Sequence, residues 1–251
     1  DDRVSRGLGD VYKRQLNQRL DTPFIKYNGK FEKASWDEVY KIIKSKFENT
    51  NKDKICGFVG DLTNMESGYI FKEFFDRTLD NKNYESRHDN RFVNIDKREN
   101  YLFNSSINGI EESDLIFLIG ANPRYEATIL NARIRKAYLN NETKIISLND
   151  VGDLTYPYQS LDGQTQTVKN IFDGDNEISK EIINAKKPLI ILGESLLNSN
   201  SSNYLFNVIK EFLVKNNKVS ETWNSLNILS TDASTVGNFD LGILKKENDL
   251  I

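Results

Sequence analysis

The chain has 251 residues, a net charge of −3 from 34 Lys and Arg against 37 Asp and Glu, and 38% hydrophobic residues. Both signs of charge are mixed along it, which excludes the clustered basic face that nucleic-acid binding needs. The longest apolar runs, around 115–121 and 188–193, fall far below the roughly 20 residues of a membrane-spanning helix. A single cysteine, Cys56, and a single histidine, His88, cannot build a conventional Cys/His metal centre, a disulfide framework or an iron–sulfur cluster. The first residues are charged and lack the apolar core of a signal peptide, so the chain reads as cytoplasmic or matrix-facing.

Residues 1–15 show no periodicity and end in VYKRQ, a string like translated adapter sequence; they are set aside as a non-native or disordered tail. Residues 16–251 read as a single α/β domain. Leu20–Phe31 is expected to form a hairpin around Asn28-Gly29. Ser35 and Glu38 form a capping box, and Trp36, Val39, Tyr40, Ile43 and Phe47 predict a helix that buries one face. Ile55–Gly60 reads as a buried strand enclosing Cys56. Thr63 to Glu66 reads as a second capping box, before a helix with Ile70, Phe71, Phe74, Phe75 and Leu79 inward. Asp80–Arg98 looks like a polar surface loop around a short strand at Asn83–Ser86.

The plan then repeats: strand Asp114–Gly120, turn Ala121–Arg124, helix Ala127–Leu139, strand Lys144–Leu148. Helical segments cover roughly 164–184, then strand Pro188–Gly193, helix Tyr204–Lys215 and a weaker strand Leu226–Leu229. Short apolar strands alternating with amphipathic helices predict a doubly wound α/β fold with parallel sheet and helices on both faces. The chain stops at Ile251 after a polar run, and truncation of the sheet is expected there.

Ligands of open α/β sheets sit at the carboxyl ends of the strands. Here those ends are Gly60-Asp61, Gly120-Ala121-Asn122-Pro123, Asn149-Asp150 and Gly193-Glu194-Ser195. The glycines would admit a ligand to the backbone, or they simply make turns. Neither G-x-G-x-x-G nor G-x-x-x-x-G-K-[ST] occurs, and Leu197 breaks a G-x-S-x-G elbow at Gly193. His88 lies in a polar loop, and Asp61, Glu111, Glu112 and Asp114 are read as capping and solvated acids.

Residues Asn100–Lys136 carry two consecutive patterns, N-[ST]-[ST]-I-x-G-I-E-E-[AS]-D and, after an apolar strand, G-x-N-P-R-x-E-A-x-x-x-N-A-R-I-R-K. This run closely resembles the family of large iron–sulfur subunits of proton-pumping NADH:quinone oxidoreductase, respiratory complex I. Asp153–Tyr156 and Ala185–Gly193 are similar to further stretches of that family, in the same order, and residues 19–38 to the opening of its molybdopterin-oxidoreductase-like domain. The resemblance covers about residues 16–245 and implies a molybdopterin-oxidoreductase-like fold.

It also implies a role as non-catalytic scaffold, with NADH-to-quinone electron transfer the work of the whole complex and the fragment alone inactive. No cofactor is implied for this stretch; iron–sulfur clusters are implied upstream in the full-length subunit. Implied partners are other peripheral-arm subunits, with no nucleic acid and no direct membrane insertion. The implied place is the cytoplasmic face of the bacterial inner membrane, or the mitochondrial matrix side. Gly120, Asn122 and Pro123 match the loop that approaches the pterin nucleotide in catalytic relatives, a match of position and not of binding. Arg124, Arg133 and Arg135 are candidates for structural or interface roles. Catalytic relatives carry a Cys, selenocysteine or Ser metal ligand; the nearest stretch, Tyr84–Asp89, offers only Ser86. The alternative is a fragment of a catalytic molybdopterin oxidoreductase such as formate dehydrogenase, against which the missing Cys and the ARIRK run weigh. A thiamine-diphosphate enzyme's middle domain, suggested by Ala185–Gly193 alone, explains nothing of residues 100–136.

Overall fold

A computed structural model describes residues 21–87, 91–174 and 176–244. The tail at 1–15, the first hairpin residue Leu20, His88 and the chain end at Ile251 lie outside the described residues. The chain divides into two compact units, residues 1–56 with 76–83, and residues 57–75 with 84–251.

In the first unit, strands β1 (Phe24–Tyr27) and β2 (Lys30–Lys33) pair antiparallel, with Tyr27 opposite Lys30. Asn28 and Gly29 both have positive φ, as the two-residue hairpin turn requires. Helix α1 (Trp36–Glu48) starts at the expected capping box: the Glu38 N–H donates to Ser35 Oγ at 3.3 Å and the Ser35 N–H donates to Glu38 Oε2 at 2.8 Å. The expected burial of its apolar face is not found. No residue of α1 is buried, and Trp36 and Tyr40 stack on each other while each stays more than half exposed.

Cys56 is exposed, not enclosed in a strand. Side-chain amides replace a strand partner at this point. Asn81 Nδ2 donates to the Ile55 carbonyl at 2.8 Å, and Asn83 Nδ2 donates to the Cys56 sulfur at 2.6 Å. The strand therefore shortens to β3 (Gly57–Phe58), which belongs to the second unit and pairs in parallel with β4 (Tyr84–Glu85). Helix α2 (Met65–Glu73) is capped by Asn64, which accepts from the Ser67 N–H at 2.8 Å, one residue later than the expected Thr63. Ile70 points outward, 67% exposed, while Phe75 is buried against Phe71 and Tyr84.

The polar stretch expected on the surface is partly interior. Tyr84, Glu85, Ser86, Arg87, Arg91 and Phe92 are all buried. Glu85 makes this possible by accepting from its own loop: the Ser86 and Arg87 N–H groups at 2.9 and 3.0 Å, and Arg87 Nη2 at 2.9 Å. Phe92 then ties back through its N–H to the Leu197 carbonyl at 2.9 Å and its ring to Phe206.

The larger part of the second unit is a five-stranded, all-parallel sheet. Its strands are β5 (Leu115–Ile119), β6 (Lys144–Ser147), β7 (Gln159–Ser160), β8 (Pro188–Leu192) and β9 (Leu226–Ile228), in the order β7-β6-β5-β8-β9. Helix α3 (Ser106–Gly109) leads into β5; the crossovers are α4 (Pro123–Glu126) and α5 (Thr128–Asn141) after it, and α6 (Thr165–Phe172) and α7 (Glu177–Asn184) after β7. Helices α8 (Glu194–Leu197) and α9 (Ser202–Lys215) join β8 to β9, and α10 (Thr235–Asp240) follows. Alternate residues of the central strands face opposite sides. Phe117, Ile119, Ile190 and Leu192 pack with Ile171, Phe206 and Ile209; Ile116, Leu118, Leu189 and Ile191 pack with Ile134, Leu154 and Tyr156. With both faces covered, each central aliphatic is shielded from water and contributes about 1.5–3 kcal/mol. This is the doubly wound arrangement expected from the strand-helix alternation, with α6 and α7 dividing the expected 164–184 helical region.

Candidate functional site

The order β7-β6-β5-β8-β9 places a topological switch between β5 and β8, where an open α/β sheet has its binding crevice. Two loops meet there. One runs from Gly120 through Asn122 to Pro123, which starts α4; Pro suits that first helical position because its missing N–H would have no helical acceptor. The other is Gly193, leading into α8.

The loops close on each other. The Gly193 N–H donates to the Ile119 carbonyl at 3.0 Å and the Ser195 N–H donates to the Gly120 carbonyl at 3.2 Å. A Cβ on Gly193 would lie 2.3 Å from the Gly120 oxygen, and one on Gly120, at φ +66°, would lie 2.4 Å from the Leu196 nitrogen. Both glycines are thus required by the approach of one loop to the other. The first N–H groups of α8 point at protein carbonyls.

Charges flank this closure. Arg91, buried, pairs with Glu194, and its guanidinium lies over the Phe239 ring. The Asn122 N–H donates to Glu126 Oε2 at 3.1 Å, and Asn122 Nδ2 donates to the Val151 carbonyl at 3.0 Å, while Asn122 Oδ1 is buried without a hydrogen-bond partner. Burial raises the Glu126 carboxyl above the usual carboxylate range; the Asn122 N–H opposes this and the nearby Glu194 reinforces it. The sequence offered no signal for Arg91, which sits in a polar stretch; Glu126 stands there as a fixed position of the G-x-N-P-R-x-E-A pattern, with nothing to mark its burial.

The three candidate arginines all have partners within the chain. Arg124 Nη1 lies 2.6 Å from Asp153 Oδ2, and this contact, with the Thr155 N–H, holds Asp153 below its ordinary pKa. Arg133 and Lys136 both bind Glu111, Lys136 at 2.6 Å, which lowers the Glu111 pKa. Arg135 Nη1 donates to the Thr155 carbonyl at 2.9 Å. Asn131, on the same helix, donates to the Leu154 carbonyl at 3.1 Å and accepts from the buried Tyr156 hydroxyl at 2.7 Å. The two sequence stretches 120–136 and 153–156, far apart in the chain, therefore lock onto each other.

The preceding run works in the same way. Asn104 Nδ2 donates to the Leu226 carbonyl at 2.7 Å and the Ser105 N–H donates to Asn227 Oδ1 at 2.9 Å, tying this run to β9. Asp114 accepts from the Lys186 and Lys187 N–H groups at 2.6 and 2.9 Å, joining the entries of β5 and β8. Asp114 and Glu111 are thus staples, where capping or solvation was expected.

A family model described as molybdopterin oxidoreductase matches residues 19–250. The chain belongs to the molybdopterin oxidoreductase family. Within this family it is 36% identical over 239 residues to the NADH-ubiquinone oxidoreductase 75 kDa subunit of Reclinomonas americana, covering 90% of this chain and 35% of that protein. It is 35% identical over 225 residues to an NADH-quinone oxidoreductase subunit of Rickettsia bellii, covering 90% and 33%. It is 35% identical over 233 residues to the mitochondrial NADH-ubiquinone oxidoreductase 78 kDa subunit of Neurospora crassa, covering 90% and 31%. The chain spans about a third of the length of these relatives.

The family name implies a pterin-bound metal, and the donor chemistry of the described residues does not fit one. Among the described residues, no three His, Cys, Asp or Glu side chains come together as a metal site. The Ser86 hydroxyl is buried and donates to the Ile243 carbonyl at 2.7 Å. The two glycines placed for close approach at the switch point are filled by protein. Among the described residues no helix is long and apolar enough to cross a membrane.

Proposed function

We propose that this chain is a segment of the large iron–sulfur subunit of an NADH:quinone oxidoreductase and serves there as a non-catalytic scaffold. The observation that carries this reading is the identity of 35–36% to three subunits of such oxidoreductases across 90% of the chain. The closed switch-point loops and the lack of a convergent donor set among the described residues support the non-catalytic part. In this reading the chain holds no cofactor, and the iron–sulfur clusters that carry electrons from NADH to quinone belong to segments outside it. Its partners are peripheral-arm subunits, and its place is the cytoplasmic face of a bacterial inner membrane or the matrix side of a mitochondrial one. Arg124, Arg133 and Arg135 work within the fold.

The rival reading, a segment of a catalytic molybdopterin enzyme such as a formate dehydrogenase, shares the family description. Affinity purification of the tagged full-length parent protein from membranes of its own source decides between them. Co-purification of NADH:quinone reductase activity is the expected result. Co-purification of formate oxidation without that activity would overturn the proposal.

A further inference from the structure

Beside the closed switch point, on the α5 face of the sheet, lies an open groove of about 530 Å³. Its walls are apolar, from Phe103, Ile107, Leu130, Leu229 and Val236, and Glu126 lines it with Asp232. Ile107 and Ile129, at its rim, are 51% and 70% exposed.

The charge of the groove decides what enters it. Neither Lys nor Arg is among the described residues that line it. The α8 N–H groups that would attract a phosphate donate instead to the Gly120 and Gly193 carbonyls. Glu194 is already matched by Arg91, so Glu126 and Asp232, the carboxylates in the lining, bring the groove's negative charge. A nucleotide phosphate would meet these carboxylates with no cation beside them. An aliphatic stem ending in a cation fits both the walls and the charge.

We infer that this groove docks a polypeptide segment of a neighbouring subunit that presents apolar side chains and a Lys or Arg, the cation pairing with Glu126. The inference rests on the scaffold reading above and adds the chemistry of a partner to it. Burial of the partner's cation in a semi-enclosed apolar site strengthens the pair over an exposed one.

The test uses this chain and three probes followed by calorimetry at pH 7.5 and low salt. The probes are the peptide acetyl-Leu-Lys-Leu-Leu-Lys-amide, the same peptide with Glu for Lys, and ADP. The Lys peptide is expected to bind, Glu126→Gln to weaken it about tenfold and Ile129→Ser to weaken it severalfold, with the Glu peptide and ADP silent. Melting curves confirm that both variants remain folded; Ile129 is mostly exposed, so its replacement spares the core. No binding of the Lys peptide at millimolar concentration, or equal binding of both peptides, overturns the docking proposal and leaves the scaffold reading intact. Binding of ADP, lost in neither variant, overturns both.

Discussion

Replacing Gly193 by Ala tests the closed switch point directly. The new methyl group would lie 2.3 Å from the Gly120 oxygen and 2.6 Å from Ala121 Cα. Reaching an ordinary contact means opening the two loops by about 1.1 Å or more. The oxygen is not free to yield, because it accepts the Ser195 N–H at 3.2 Å, and Gly193 itself donates to Ile119. Overpacking against backbone belongs at the upper end of the usual ~1–3 kcal/mol. For a chain of this size each kcal/mol moves the melting temperature by about 2–4 °C, so Gly193→Ala is expected to melt about 6–12 °C lower. Gly29→Ala is the control: nothing lies within 4 Å of its added Cβ, and only its φ of +84° resists, costing about 1 kcal/mol. Thermal denaturation followed by circular dichroism reads both. A Gly193→Ala protein that melts within about 2 °C of the parent would refute the reasoning and reopen the crevice as a ligand site.

Glu194→Ala leaves the buried Arg91 without this carboxylate and is expected to cost about 3–5 kcal/mol in urea unfolding, whereas an effect below about 1 kcal/mol would show that the pair is solvated. Asn131→Ala removes the acceptor of the buried Tyr156 hydroxyl and the donor to Leu154, a loss of about 1–3 kcal/mol by the same measurement. Glu126 has a folded pKa above its unfolded one, so stability is lost as pH rises from the unfolded pKa to the folded one; Glu126→Gln is expected to raise the melting temperature at pH 7.5 and leave it nearly unchanged at pH 4. Asp153 has the opposite sign: its folded pKa is lowered, so its contribution is present above the unfolded pKa and fades as pH falls through the folded one, and Asp153→Asn is expected to flatten the acid limb of a pH–melting profile.

The parallel sheet was legible because five-residue aliphatic runs such as Leu115–Ile119 and Pro188–Leu192 are buried on both faces and need no further context. The capping box at Ser35 was legible for the same local reason: its donors and acceptors lie three residues apart. Burial was misjudged where long-range partners decide it. Arg87 looked like solvated loop charge, yet Glu85 accepts four hydrogen bonds from its loop and lets both acid and base go inside. Trp36 and Tyr40 looked like core, and nothing in the described chain buries them. At the switch point, composition could place Gly120 and Gly193 at strand ends but could not say that Gly193 makes room for the Gly120 carbonyl and Gly120 for Leu196. The arginines of the 133–136 run were visible as a pattern, while their partners Glu111 and Thr155 are 20 or more residues away.

Elemental analysis of the full-length parent protein, purified with its subunits from source membranes, tests the central claim most directly. The scaffold account predicts iron in several atoms per subunit and molybdenum and tungsten at background. Molybdenum or tungsten at one atom per subunit would contradict it.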